Sequence, residues 1–144
     1  MPAQIDIKEV HWLLDIVQCI DVGVVVLDRQ YRVEVWNAFM ENHSGLGPDQ
    51  VQGRSLFELF PDIDRPWLER KVESVVQLST RAFSLWQQRP YLLHFKSYRP
   101  ITGQADFMYQ NVTLLPLAGQ PVEHVCLVIY DMTAAAVAAR AQPA

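Results

Sequence analysis

The first twenty residues carry an apolar pattern with the spacing of a helix. Asp6 and Glu9 stand three positions apart, as in a capping box that opens a helix. Two apolar faces follow, each recurring every three or four positions. The first is Val10, Leu13, Leu14 and Val17, and the second is Trp12, Ile16 and Ile20. A helix that is apolar on two flanks needs two partners. We therefore expect it to pack on its own sheet and, through the first face, on a second copy of the chain.

A change of period after this helix predicts a β-hairpin. Residues 23–27 form a short, continuously apolar run, which is typical of a buried strand. In residues 31–36 apolar and polar side chains alternate, which is the pattern of a half-exposed strand. Residues 28–30, between the two runs, predict the turn that joins them.

The middle of the chain predicts several short helices and one long helix. Asn37 can cap a helix over residues 38–43, and cap signals at Gly47 and Ser55 predict two further short turns of helix. The long helix is predicted over residues 66–79. Its apolar face toward the core consists of Leu68, Val72, Val75 and Val76.

The last third predicts strands. We expect strands over residues 91–97, 105–117 and 122–130, separated by turns that contain Pro and Gly, with residues 83–86 leading into this sheet. The order of elements predicts an α+β fold, in which helices cover one face of an antiparallel sheet. A length of 144 residues favours one domain.

Composition excludes several classes of protein. The chain is 50% hydrophobic and 19% charged, with a net charge of −4, so it can form a core. Lys and Arg are not clustered, and no nucleic-acid partner is expected. No apolar run is long enough for a membrane span, and the start lacks a secretory pattern. Cys19 and Cys126 lie in apolar segments and are expected to be buried free thiols in a reducing cytoplasm.

Residues that could carry chemistry are scattered. The four histidines (His11, His43, His94, His124) lack the spacing of a metal site, and no nucleophile has a neighbouring base. We therefore predict neither catalysis nor a metal site.

Three motifs in order resemble the PAS domain. Residues 24–37 are similar to its opening hairpin, with the Asp of the turn at Asp28 and the closing Asn at Asn37. Residues 37–61 resemble its helical connection. Asp131-Met132-Thr133 resembles the D-x-T sequence that couples many bacterial PAS domains to the next element of the protein. The resemblance covers residues 5–133.

This resemblance implies a five-stranded antiparallel sheet in the order 2-1-5-4-3, with a cavity between the long helix and the sheet. It divides the chain into an N-terminal flanking and dimerisation helix (1–22), a PAS core (23–133) and the start of a C-terminal connector helix or a tail (134–144). Family members precede diguanylate cyclases, histidine kinases or chemoreceptors, and this pattern looks most like those that precede cyclic-di-GMP enzymes. The output domain is covalently linked or separate.

The cofactor stays open between none and a non-covalent small molecule. In haem-binding relatives the axial His usually comes from the long helix, and residues 66–79 contain none. The Asn-Cys-Arg-Phe-Leu pattern of flavin photoreceptors is absent as well. We expect neither haem nor flavin.

A sensory function predicts an apolar pocket with a few polar anchors. The pocket residues that we expect are Asn37, Phe39, Met40, His43, Phe57, Phe60, Val72, Val76, Phe95, Phe107, Tyr109 and Asn111. Ordinary core packing or helix capping is the alternative for each of them. A close-packed interior would favour a module that only dimerises or docks a partner.

The D-x-T sequence is expected to couple the sheet to the next element. We predict that Asp131 and Thr133 carry this role, and that Asp131 pairs with Arg29 or Arg32. A plain helix cap at a strand end is the alternative.

Overall fold

The computed structural model describes residues 6–95 and 107–141. The outer residues of the predicted terminal segments, 1–5 and 142–144, lie outside this description. The elements in chain order are α1 (Ile7–Cys19), β1 (Gly23–Asp28), β2 (Val33–Trp36), α2 (Ala38–Ser44), α3 (Pro48–Val51), α4 (Leu56–Leu59), α5 (Arg65–Leu78), β3 (Ala82–Ser84), β4 (Gln110–Pro116), β5 (His124–Asp131) and α6 (Thr133–Ala141).

The five described strands form one antiparallel sheet in the order β2-β1-β5-β4-β3. This confirms the predicted fold class and strand order. β5 is the central strand, since it pairs with β1 on one side and with β4 on the other. The end of this central strand leads directly into α6.

The helices start where the sequence predicts them, because polar side chains bind the first free amides. Asp6, Asn37, Ser55 and Asp64 each accept a hydrogen bond from an amide two or three residues further on. Gly45 ends α2 with a φ of 78°, a left-handed conformation that glycine adopts without strain.

The core lies between α2–α5 and one face of the sheet. α2 packs on β1, and α5 packs on β3, β4 and β5. A Cβ atom at Gly23 would lie 2.5 Å from the Met40 sulfur, so the absence of a side chain at this position allows the close approach of α2 to β1. The buried side chains of this layer include Val25, Leu27, Met40, Leu68, Val72, Leu114, Leu127 and Ile129.

The predicted strand at residues 91–97 is wrong for the part that the structure describes. The third strand of the sheet is β3, and residues 91–95 follow an irregular path without strand pairing. Residues 96, 97, 105 and 106 lie outside the described part. β4 begins at Gln110, later than predicted, because the side chain of Gln110 takes up backbone groups of residues 92 and 93.

Candidate functional site

The layer between the helices and the sheet contains half of the predicted pocket residues. Phe39, Met40, Val72 and Phe95 are buried in the core. Phe60 and Val76 are partly buried and pack against them. The described side chains in this layer pack on one another, so these residues form core.

Three predicted pocket residues on or next to β4 lie on the wrong face. Met108, Gln110, Val112 and Leu114 are all buried toward the helices. Because successive side chains of an extended chain point to opposite faces, Phe107, Tyr109 and Asn111 point away from that layer. The expectation that these three side chains face the helices was therefore wrong, because the predicted alternation was shifted by one residue.

Their contacts agree with this placement. The Asn111 side-chain oxygen accepts a hydrogen bond from the Trp86 amide at 2.8 Å. The Tyr109 ring contacts the rings of Trp86 and Phe107, and the Arg140 guanidinium of α6 lies 5.2 Å from its centre. Tyr109 is thus a contact between the sheet and α6.

Phe57 lies at the edge of the core and not at its centre. Its ring centre is 4.9 Å from that of Tyr31, and the Arg65 guanidinium lies 4.6 Å from the ring. A cation over an aromatic face is typical of a partly exposed site, so Phe57 is poorly placed as a wall of an interior pocket.

Asn37 is fully buried, and its amide binds only backbone. The oxygen accepts hydrogen bonds from the amides of Val24 and Met40, at 3.1 and 3.4 Å. The nitrogen donates to the carbonyl oxygens of Val17 and Val22, at 2.9 and 2.8 Å. These four bonds use the full capacity of an amide. Asn37 therefore joins the end of α1 to β1 and α2, and it has no free atom to anchor a ligand.

His43 is half-buried beside the core. Its ring centre is 4.3 Å from that of Phe39 and 6.2 Å from that of Phe95. Burial lowers the pKa of His43, and the carboxylates of Asp131 and Asp21 oppose that shift only in part. His43 thus lies at the edge of the core, in contact with Phe39 and beside Phe95.

Gln110 was not among the predicted site residues, although its side chain is fully buried and binds three backbone groups. Its oxygen accepts hydrogen bonds from the amides of Leu92 and Leu93, at 3.0 and 3.2 Å. Its nitrogen donates to the Leu93 carbonyl at 2.8 Å. One signal could have identified it: Gln110 is the polar member of an otherwise apolar alternating row, Met108, Val112 and Leu114.

Clefts lined by described residues lie at the surface. One of about 160 Å³ lies beside residues 91–95, between Leu59–Ile63 on one wall and Tyr91, Leu92 and His94 on the other. It borders the core at Phe60. The core between the helices and the sheet includes the side chains of Leu93 and Phe95, which were not both predicted to lie there.

The junction of β5 and α6 is closed by a short chain of hydrogen bonds. Asp131 accepts bonds from the amide and the hydroxyl of Thr133, at 2.9 and 2.6 Å. The Thr133 hydroxyl oxygen accepts one from the Tyr109 amide at 3.1 Å, and the Met132 amide donates to the Tyr109 carbonyl at 2.7 Å. The first turn of α6 is therefore attached to the residue that precedes β4.

The expected pairing of Asp131 with Arg29 or Arg32 is wrong. Arg29 forms an ion pair with Glu73, and Arg32 forms one with Asp28. The reason is topological, since the β1–β2 turn lies at the His124 end of β5, while Asp131 lies at the other end. At the rise of a strand the two ends of β5 are roughly 23 Å apart.

Asp28 holds that turn together. Burial alone would raise the pKa of Asp28, but hydrogen bonds from Arg32 and from the Gln30 amide outweigh it, so the pKa is lowered. The Asp of the first motif thus has a structural role in the hairpin.

α1 presents nearly all of its side chains to solvent. None of its residues is buried, and Ile7, Trp12, Leu13, Leu14 and Ile16 are each more than half exposed. The expectation that one flank packs on the sheet of its own domain is wrong, because α1 contacts α2 and is held at Val17 by Asn37. Apart from half-buried Val17 and Ile20, both apolar flanks are exposed in the single chain.

Cys126 is buried, as expected, whereas Cys19 at the end of α1 is exposed. Burial raises the pKa of the Cys126 thiol.

Among residues 6–95 and 107–141, no three His, Cys, Asp or Glu side chains cluster in a way that could hold a metal ion. In the same residues, no helix has both the length and the apolarity needed to cross a bilayer.

Comparisons with known proteins agree on one family. The family model described as the PAS fold matches residues 18–137. A sensory box sensor histidine kinase from Vibrio cholerae is 26% identical with a TM-score of 0.62, over 88% of this chain and 94% of that one. A PAS domain from Colwellia psychrerythraea is 15% identical with a TM-score of 0.64, over 87% and 98%.

A third similar structure is the PAS domain of the quorum-sensing receptor RpfR from Cronobacter turicensis, in complex with BDSF. It is 15% identical with a TM-score of 0.56, over 79% of this chain and 96% of that one. A search of curated proteins found no match. These comparisons support a sensory signalling role. The match over residues 18–137, together with the strand order and the D-x-T junction, shows that the chain belongs to the PAS family.

Proposed function

We propose that this chain is the sensory module of a signalling protein, in which a change between the helices and the sheet alters the start of α6 and so an output domain. The observation that carries the proposal is the hydrogen-bonded junction of Asp131, Thr133 and Tyr109. This junction links the central strand, the start of β4 and the first turn of α6. An element attached at two points of a sheet responds when those points move relative to each other.

The comparisons support a sensor over other classes. The relative from Vibrio cholerae is a sensor histidine kinase, and the relative from Cronobacter turicensis is the PAS domain of a quorum-sensing receptor in complex with BDSF. For this chain we propose a small ligand or a partner as the signal and no catalysis by the domain itself. The output domain, linked or separate, is of the bacterial type, and the motif pattern favours a diguanylate cyclase. The two free thiols fit a reducing cytoplasm.

We further propose a homodimer through α1. Val10, Leu13 and Leu14 are exposed on one side of this helix, and Val17 lies on the same side. Stable surfaces rarely leave so many large apolar side chains in contact with water. The helix-free face of the sheet, with half-exposed Val24, Val26 and Val128, offers a second apolar surface nearby.

The dimer is tested with the double variant Leu13→Glu and Val17→Glu, measured by light scattering. We expect a monomer, because two buried carboxylates per helix would repel across the interface. The matched control is His11→Glu and Asp15→Gln, which changes charges on the same helix outside the first apolar face. Equal dimer mass in both double variants would contradict the interface.

The coupling role is tested with Asp131→Ala in a fusion of this chain to the kinase portion of a PAS-containing histidine kinase, with α6 continued in register. We expect the Asp131→Ala domain to fold normally. We also expect that a change between its helices and its sheet no longer alters autophosphorylation of the fused kinase. Glu123→Ala, an exposed acid just before β5, is the control. An unchanged response in Asp131→Ala would refute the coupling.

A second candidate is a module that only dimerises or docks a partner. The observation that favours it is the burial of Leu93 and Phe95 within the layer where a ligand would bind. The two functions differ in whether residues 91–95 can leave that layer.

A further inference from the structure

Residues 91–95 enter the core without belonging to the sheet. The side chains of Leu92, Leu93 and Phe95 are only 6%, 0% and 2% exposed. Chain segments that are buried this deeply normally pair their backbone in a helix or a strand. This segment has neither, so its backbone groups need another partner.

That partner is largely one side chain. Gln110 binds the two amides of Leu92 and Leu93 and the carbonyl of Leu93. Two backbone bonds flank the clamp, from the Gln110 amide to the Pro90 carbonyl and from the Met108 amide to the Phe95 carbonyl. The segment is thus bound to the inner face of β4 by one side-chain amide, by a backbone hydrogen bond at each end and by apolar contacts.

The segment lies between the helices and the sheet. The Phe95 ring lies 6.2 Å from His43 of α2 and 6.3 Å from Phe60, which follows α4. On the other side lies Gln110 of the sheet. A surface cleft of about 160 Å³ runs along the segment, between Tyr91 and Leu59–Ile63, and leaves space on its outer side.

We propose that residues 91–95 are an internal plug, and that its displacement opens a binding site for an apolar molecule that carries a carboxamide-like group. This inference rests on the proposed sensory function, since it supplies the change that the junction of β5 and α6 would report.

The chemistry of the ligand is set by the groups that the plug would leave behind. Without the segment, the Gln110 amide would face an apolar space with its oxygen and nitrogen unpaired, which is costly. A ligand must therefore offer a donor to the oxygen and an acceptor to the nitrogen side by side, as a primary carboxamide or a lactam does. A neutral group is favoured, because burying a charge there would lack a counter-charge from Gln110.

The first test uses hydrogen exchange of the unmodified chain. We expect the Leu92 and Leu93 amides to be protected, but to exchange at least about tenfold faster than the core amides of Val25 and Leu127, because the plug opens locally. Exchange at the same rate as those core amides would show that the segment leaves only on global unfolding, and would overturn the proposal.

The second test is a titration of the ¹⁵N-labelled chain with octanamide, whose alkyl tail is about the size of the Phe95 side chain, and with N,N-dimethyloctanamide, which lacks the donor. We expect octanamide to shift the Leu92, Leu93 and Gln110 side-chain resonances and to bind about tenfold more tightly, since one hydrogen bond to a buried acceptor is lost in the dimethyl compound. Equal affinity, or shifts elsewhere only, would overturn the site.

Gln110→Leu sharpens this result, with Thr113→Ala on the opposite face of β4 as its control. We expect Gln110→Leu to abolish the preference for octanamide, while Thr113→Ala keeps it. If Gln110→Leu does not fold, the comparison of octanamide with N,N-dimethyloctanamide on the unmodified chain still tests the proposed site. If the plug opens and the output of the kinase fusion does not change, the sensory function is contradicted and the plug proposal stands. If the plug never opens but the output of the fusion still changes in Asp131→Ala, the plug proposal is contradicted and the sensory function stands.

Discussion

Two buried amides, Asn37 and Gln110, hold opposite halves of the molecule, and they do so in different ways. Both side chains are 0% exposed and both bind backbone only, apart from the distant sulfur of Met108 beside Gln110. Asn37 joins elements that are regular in themselves, namely the end of α1, β1 and the start of α2. Gln110 replaces regular structure, since residues 91–95 have no ladder of their own. The same functional group thus joins regular elements in one place and holds an irregular segment in the other.

This difference separates local from tertiary information. Asn37 acts as a helix cap, and caps are visible in the sequence because they lie next to the groups that they bind. Gln110 binds backbone groups that are seventeen and eighteen residues away, and no sequence motif predicts these hydrogen bonds. Residues 91–95, which depend on Gln110, are consequently the part of the fold that sequence patterns predict least well.

The largest effect is expected from Asn37→Ala. The change leaves the Val17 and Val22 carbonyls and the Val24 amide without partners, and it removes the cap of α2. We expect a loss of about 3 kcal/mol in the free energy of unfolding, measured by urea denaturation, since each orphaned group costs about 1 kcal/mol or more. A loss below about 1 kcal/mol would contradict the view that this half is rigid.

A smaller global loss, about 1–2 kcal/mol, is expected from Gln110→Leu. It leaves the Leu92 and Leu93 amides without this partner, while the Leu93 carbonyl keeps its bond from the Phe95 amide. We expect residues 91–95 to move outward and let water reach the two amides. The same urea denaturation, run beside Asn37→Ala, measures the difference. A loss equal to or larger than that of Asn37→Ala would show that the two halves are equally rigid.

A still smaller loss, about 0.5 kcal/mol, is expected from Arg140→Ala, which removes the cation from the face of the Tyr109 ring. The loss should be local to α6, seen as faster hydrogen exchange of residues 137–140 with unchanged protection in β1. Arg70→Ala, on α5, is the matched control. Equal exchange in both variants would contradict a contribution of Tyr109 to the docking of α6.

The smallest effect concerns pH. Because burial lowers the pKa of His43 below its usual 6.5, the unfolded chain takes up this proton at a higher pH than the folded chain does. The free energy of unfolding should therefore fall as the pH drops from about 6.5 toward the lowered pKa, and it should be regained above about 6.5. His43→Gln should flatten this part of the profile, whereas His11→Gln on exposed α1 should not. If the free energy of unfolding of His43→Gln changes with pH as steeply as that of the unmodified chain, a group other than His43 causes the pH dependence.

The fold itself was predictable because its signals are local. The change of period between residues 10–20 and 23–36, the caps at Asp6, Asn37, Ser55 and Asp64, and the D-x-T sequence each act over a few residues. Their order predicted an α+β fold, and the resemblance to the PAS domain that they carry implied the correct strand order. The candidate site was predicted only in part, since Phe39, Met40, Val72 and Phe95 lie in the interior layer, while Phe107, Tyr109 and Asn111 lie on the other face. An error of one residue in the phase of a strand reverses every side chain on it.

From the order of its amino acids this chain is recognisable as a PAS domain, with a hairpin, a capped helical connection and a junction suited to pass a signal onward. Which groups occupy its interior was settled by the folded arrangement alone. The path of residues 91–95 depends on a glutamine seventeen and eighteen residues further along the chain, and the partner of Asp131 depends on which end of a strand each turn occupies. Such contacts are consequences of topology, and a pattern of neighbours along a chain does not contain them.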